Sequence, residues 1–275
     1  MEMHLPFFKV VGAGNDCLVA FGEHLSRIGD DTAKIVQSIC DRHNGVGADQ
    51  FFEVLSTSPL AVQVWNCDGS KAEMCANGTR SFLLLAREQA WVDATAQELS
   101  ILVSGKAYSA CWASTGYELC LGSPQVAPAA EVMIRERKIP YLPVNVGNPH
   151  AVVYVHESGW IDPSVFQFKE WGSLLETHPQ FPMRTNVEFI RSMKVQGDHA
   201  EVKIEVWERG AGATLSCGTG AVAVAAAISA ENKSLKRFSV IMNGNVLNVR
   251  LEGGKAFLSG PSRTIAEGNY LWSRA

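Results

Sequence analysis

Two stretches of the chain share one pattern of apolar and polar positions. In "VQVWNCDGSKAEMCANGTRSF" (62–82) and "IEVWERGAGATLSCGTGAVAV" (204–224), apolar residues alternate with polar ones up to a tryptophan. A glycine-containing loop follows, then a cysteine, then an apolar run. Alternation predicts a half-buried strand, and the change of period after the cysteine predicts a helix. The offset is 142 residues throughout: Val64 meets Val206, Trp65 meets Trp207, Cys75 meets Cys217 and Gly78 meets Gly220. The two helices are expected over 78–90 and 218–232. The second is apolar on nearly every face through Ile228, so protein must surround it. The first is more amphipathic but still strongly apolar. Strand-like stretches with a turn follow each helix, at 99–112 and 238–260. In the second, Asn243-Gly244 and Gly253-Gly254 are hairpin signals because those residues tolerate positive φ.

The simplest account is two similar halves, each a β-rich unit built round one long helix. The join falls in "LGSPQVAPAAEV" (121–132), where prolines and small residues interrupt the periodicity. The fold class expected is α/β (α+β), a sheet wrapped around a central helix in each half.

Composition adds little to this picture but excludes several classes. The chain has 275 residues, 47% hydrophobic and 19% charged, which is ordinary for a globular protein. A net charge of −4 gives no electrostatic case for nucleic acid or an anionic membrane as partner. No apolar run approaches a membrane span, and the N-terminus lacks a secretory pattern, so the cytoplasm is the expected compartment. The seven cysteines are odd in number and lack CxxC spacing, which argues against a disulfide framework or a structural metal site. Cys40, Cys111 and Cys120 read as small buried hydrophobes.

Cys75 and Cys217 read differently. A cysteine at a helix start sits near free backbone N–H groups and the positive end of the helix dipole, both of which favour thiolate. The same N–H groups suit a carboxylate. Each segment therefore pairs a base with a carboxylate cradle. For an amino acid held there, one thiolate could remove the α-proton and a second thiol could return one to the other face. Such inversion needs no cofactor, and no P-loop, dinucleotide fingerprint or metal-ligand spacing is present. Asn66 and Glu208 each lie nine positions before their cysteine, at the strand mouth. Glu208 can accept from an ammonium and Arg209 can bind a carboxylate bidentately. That describes a second zwitterionic end, and hence a small-molecule amino-acid substrate with two such termini.

Together, "FFKVVGAGND", "RHNGVGADQ", "NCDGSKAEMCANGTR", "VNVGNPHAVV", "TNVEF" and "ERGAGATLSCGTGA" resemble the diaminopimelate epimerases, cofactor-independent isomerases of lysine and peptidoglycan precursor synthesis. The motifs run from Phe7 to about Pro261. The resemblance implies two pseudo-symmetric domains, each a curled, mostly antiparallel sheet around a central helix. The first would span 1–122, joined by a last strand at 263–275, and the second 123–262. It implies Cys75 and Cys217 as catalytic bases, with Ala76, Asn77, Gly218 and Thr219 holding the reacting carboxylate. It implies Asn15, Gln50, Asn66, Asn148, Asn186, Glu208 and Arg209 as substrate-binding residues. His150 matches the family's "GNPH" histidine, either structural or supporting the active cysteine. The family often dimerises. Three positions depart from its pattern: Ala76 replaces a usual glycine, Cys17 an aromatic and Ala213 an acidic residue. They bear on selectivity, and a racemase with relaxed specificity is the nearest alternative. A proline-racemase-type enzyme, a thiol redox protein and a non-catalytic zwitterion-binding module are the others.

Overall fold

The computed structural model describes residues 3–29, 31–113, 116–157 and 159–272. Residues 1–2, 114–115 and 273–275 of the expected first domain lie outside these, as do Asp30 and Ser158. The chain divides into two compact units, one of residues 1–119 with 260–275 and one of residues 120–259.

The first unit opens with β1 (Met3–Gly12) and β2 (Asn15–Phe21), followed by α1 (Gly22–Ile28) and α2 (Thr32–Cys40). Then come β3 (Gln50–Thr57), β4 (Leu60–Asn66), β5 (Lys71–Ala72) and α3 (Ala76–Glu88), and finally β6 (Glu98–Val103), β7 (Lys106–Ala113) and β8 (Gly116–Cys120). Antiparallel hairpins join β1 to β2, β3 to β4, β6 to β7 and β7 to β8. The pairs β2–β3 and β4–β6 are parallel, because α1–α2 and α3 carry the chain across between them.

The second unit repeats this order. β9 (Gln125–Val126) and β10 (Ala130–Ile134) lead into β11 (Arg137–Asn145) and β12 (Pro149–Tyr154). After α4 (Phe168–Glu176) come β13 (Asn186–Gln196), β14 (His199–Glu208), β15 (Gly212–Ala213) and α5 (Gly218–Glu231), then β16 (Arg237–Met242), β17 (Asn245–Glu252) and β18 (Lys255–Ser259). Again the pairs spanned by helices, β12–β13 and β14–β16, are parallel, and the hairpins are antiparallel. The chain then returns to the first unit as β19 (Ser262–Trp272), antiparallel to β1.

The expected hairpin turns form. Asn243 and Gly244 link β16 to β17, and Gly253 and Gly254 link β17 to β18, all at positive φ. The turn expected within 99–112 is Ser104-Gly105, which closes β6 to β7 in the same conformation.

Each long helix lies in the curl of its sheet. α5 buries Gly218 and every residue from Gly220 to Ser229, and packs against β11, β12 and β13 on one flank and β16, β17 and β18 on the other. α3 packs against β1, β2, β3 and β19 and is less amphipathic than its sequence suggests: Asn77, Thr79, Arg80 and Ser81 are all buried. Cys40 is buried as expected. Cys111, on β7, and Cys120, at the end of β8, are only half-buried, because each alternates with a fully buried neighbour, Ala110 and Leu119, that takes the inward face of its strand.

Candidate active site

Both cysteines are helix N-caps with nearly the same backbone. Cys75 has φ −132° and ψ 106°, and Cys217 has φ −130° and ψ 115°. Each Sγ accepts the N–H three residues on, from Gly78 at 3.2 Å and from Gly220 at 3.3 Å. This extended conformation turns the thiol back over the first helical turn, among N–H groups with no partner inside the helix.

In the first unit, Cys75 donates to Asn15 Oδ1 at 2.9 Å, and Asn15 Nδ2 donates to Asp49 Oδ2 at 2.9 Å. Asp49 belongs to a charged cluster in which Arg42 bridges Asp16 and Asp49, and Lys9 pairs with Asp16 at 3.0 Å. Burial alone would raise the Asp16 carboxyl, but hydrogen bonds from Arg42 and Lys9 prevail and hold it at about 2. Ala76 and Asn77 form the first helical positions and are buried. Gln50 and Asn66 face each other across the β3–β4 ladder. The Gln50 Oε1 is buried without a hydrogen bond, whereas the Asn66 amide donates to Ser70 Oγ within its own turn. Beneath the cysteine, the Cys17 thiol is pushed well up, first by its hydrogen bond to Cys75 and then by burial.

In the second unit, Cys217 is buried, and burial, then the charges of Glu208 and Glu188, push its thiol well up. Glu208 is itself raised by burial, against hydrogen bonds from Thr214 and Cys217. Thr219 Oγ1 lies 3.5 Å from Cys217 Sγ and accepts from Asn148 Nδ2 at 3.4 Å. The ring of His150 bridges Asn148 Oδ1, at 3.0 Å from Nε2, and Glu188 Oε1, at 2.7 Å from Nδ1. Asn186 ties the site to its surroundings, donating to Pro149 O at 2.9 Å and accepting from Arg209 N at 3.0 Å. The Arg209 guanidinium reaches Met183 O at 3.3 Å and is otherwise exposed.

The ladders make the two sites comparable position by position. Gln50 pairs with Asn66, and Val187 with Trp207, which sets Asn186 beside Glu208 at the matching strand ends. Cys17 pairs with Gln50 as His150 pairs with Asn186; Phe52 pairs with Val64 as Glu188 pairs with Val206. So the floor under Cys75 is a thiol and an aromatic ring, and the floor under Cys217 is an imidazole and a carboxylate.

Four residues of these sites were not singled out from the sequence. Asp49 and Glu188 were missed although they stand inside "GADQ" and "TNVEF". Thr214 was unremarkable in its loop. Arg80 carried a signal: a cation in an otherwise apolar helical run. It is buried, donates to Gly260 O at 2.6 Å and Asn77 Oδ1 at 3.1 Å, and burial lowers it to about 10.

Solved structures share this architecture. A hydroxyproline epimerase from Agrobacterium vitis is 15% identical with a TM-score of 0.67, covering 98% of this chain and 92% of its own. A phenazine biosynthesis protein of the PhzF family from Enterococcus faecalis is 12% identical with a TM-score of 0.65, covering 97% and 99%. At these identities they establish the fold class, two curled-sheet units each with a central helix. The sequence narrows the class: the chain belongs to the diaminopimelate epimerase family, whose pattern matches residues 7–118 and 142–265. A diaminopimelate epimerase from Desulforudis audaxviator is 34% identical over 300 residues, covering 98% of this chain and all of that one. Another from Microcystis aeruginosa is 32% identical, covering 98% and 99%.

Proposed function

We propose that this isomerase interconverts the LL and meso forms of diaminopimelate, with Cys75 and Cys217 as the two acid–base thiols. One thiolate takes the α-hydrogen as a proton, leaving its electron pair on Cα, where the carboxylate draws it off. The other thiol gives its proton to the opposite face of Cα and becomes the thiolate. A carbanion of this kind needs stabilisation where its charge develops, and the N–H groups after each cysteine supply it at the reacting carboxylate. Ala76, Asn77, Gly218 and Thr219 stand at those helix starts. Asn15, Gln50, Asn66, Asn148, Asn186, Glu208 and Arg209 bind the substrate. The reaction places the protein in lysine and peptidoglycan precursor synthesis in the cytoplasm; no helix among the described residues is long and apolar enough to cross a membrane.

The observation that carries the reading is the matched pair of cysteine caps in a chain of this family. The test is α-hydrogen exchange in heavy water, under reducing conditions, on each diaminopimelate stereoisomer. Inversion with solvent deuterium incorporated is expected. A thiol redox protein would incorporate none. Racemisation of glutamate, aspartate or lysine at comparable rates would move the reading to a relaxed racemase.

A further inference from the structure

We propose that Glu188 is a positioning residue for Cys217, acting through an ordered side-chain relay of His150, Asn148 and Thr219. This deepens the epimerase reading and rests on it for its catalytic meaning, though its central measurements do not need turnover.

The relay is continuous. Glu188 Oε1 meets His150 Nδ1 at 2.7 Å, His150 Nε2 meets Asn148 Oδ1 at 3.0 Å, Asn148 Nδ2 donates to Thr219 Oγ1 at 3.4 Å, and Thr219 Oγ1 lies 3.5 Å from Cys217 Sγ. Its direction follows from the groups involved. Asn148 presents its carbonyl oxygen to the ring, so His150 Nε2 must carry a hydrogen. Asn148 presents its amide nitrogen to Thr219, so that hydroxyl oxygen accepts there and its own hydrogen is free for the sulfur. From Nε2 onward every donor therefore points toward Cys217, and the order rests on Nε2 keeping its hydrogen. Glu188 ensures that. Its side chain and that of His150 are both 0% exposed, and its second oxygen is buried without a partner. A buried carboxylate with one neighbour must share a proton with it or pair with its charge. Either way a hydrogen lies between Glu188 and Nδ1, and Nε2–H faces Asn148.

Glu188 is also held in place from above. A Cβ on Gly220 would meet Glu188 Oε1 at 2.7 Å and Cys217 Sγ at 3.3 Å, so carboxylate and thiol approach the same glycine. The matching position in the first unit is Phe52, and Cys17 stands in place of the histidine. Cys75 therefore has no counterpart of this relay.

Three measurements test the proposal. In the wild-type protein, nitrogen-15 NMR of the His150 ring should show a proton on Nε2; a bare Nε2 overturns it. Second, Cys217 alkylation by iodoacetamide, followed by peptide mass spectrometry, reads the sulfur directly, with Cys75 as internal control. Thr219→Val should slow Cys217 alkylation, and Thr219→Val and Glu188→Met should each lower kcat by about tenfold, as loss of one hydrogen bond to a reacting group allows. Glu188→Gln can donate its amide N–H to Nδ1 and keep Nε2–H in place, so it should stay within about threefold of wild type. Third, the double variant Glu188→Met/Thr219→Val should lose no more than either single change, because both cut one relay. Unchanged Cys217 alkylation in Thr219→Val, or multiplicative losses in the double variant, overturns the relay. If Glu188→Met does not fold, the ring proton, Thr219→Val and Glu188→Gln still decide. Alkylation that behaves as expected in a protein that does not turn over diaminopimelate supports the relay and rejects the epimerase reading. Turnover with an alkylation pattern indifferent to these changes does the reverse.

Discussion

Glycine at the third helical position is demanded at both cysteines by what lies beneath it. A Cβ on Gly78 would come within 2.6 Å of Phe52 Cε2 and 2.8 Å of Cys17 Sγ. The ring is rigid and buried, so the helix start must lift. Gly78→Ala should cost about 1–3 kcal/mol in urea unfolding, as overpacking of a filled core does, and lower kcat further by moving the Cys75 N–H cradle. Wild-type stability in that variant would mean the floor yields, and the argument would fail. The charged cluster gives a second residue-scale expectation. Asp16 is held at about 2, below the 3.8 of a free carboxyl. A carboxyl depressed in the folded state stabilises above its unfolded pKa, and that stabilisation fades as pH falls toward the folded one. Asp16→Asn should therefore lower Tm at neutral pH, and the gap to wild type should narrow on going from about pH 5 to about pH 3. A gap independent of pH would show that Asp16 acts by packing alone.

At the scale of elements, the strand–loop–cysteine–helix block was readable because its two copies keep one offset. Both helices form within two residues of expectation at each end, at 76–88 and 218–231. The rest of the correspondence was hidden by unequal connections. Gln50 and Asn186 are equivalent at an offset of 136, because β13 and β14 are longer than β3 and β4, and Cys17 and His150 at 133, because α1–α2 and α4 with their loops differ in length. No single shift of the sequence brings those positions together, so the equivalence of Cys17 with His150 emerged only from the ladders. Arg80 illustrates a different limit. Its burial depends on a carbonyl 180 residues away, and nothing local signals that acceptor. The caps themselves yield a prediction. A serine oxygen accepts the same N–H as the sulfur does, and more strongly. Cys75→Ser and Cys217→Ser should keep Tm at or slightly above wild type while inversion falls at least a hundredfold, the scale of a lost acid–base group. A serine variant that melted much earlier would show that the thiol fills space the hydroxyl cannot. One that still inverted normally would end the two-thiol mechanism.

At the scale of the whole chain, the two units differ in how the sequence supplies them. The second is one uninterrupted run, 120–259, whereas the first needs both ends of the chain. β19 pairs with β1 at ten positions, from Met3 with Trp272 to Gly12 with Ser262. Trp272 joins the core cluster of Leu5 and Leu18, and Tyr270 hydrogen-bonds Ser38 at 2.6 Å. The same segment provides Gly260 O and Ser262 Oγ, which receive the guanidinium of Arg80. With a backbone bond contributing on the order of 1 kcal/mol, losing this strand removes stabilisation comparable with that of a whole domain, before counting a buried cation left without its acceptors. A chain ending at Ser259 should therefore lose the first unit's fold while the second retains its own cooperative transition. Joining 260–275 by a short linker to 1–119 should restore a folded first unit. Near-UV circular dichroism and thermal unfolding of the two shortened chains would read this directly. If the chain ending at Ser259 melted like the full protein, β19 would be an ornament on a self-sufficient sheet. If the joined 1–119 and 260–275 stayed unfolded, the first unit would need more than its own two chain ends.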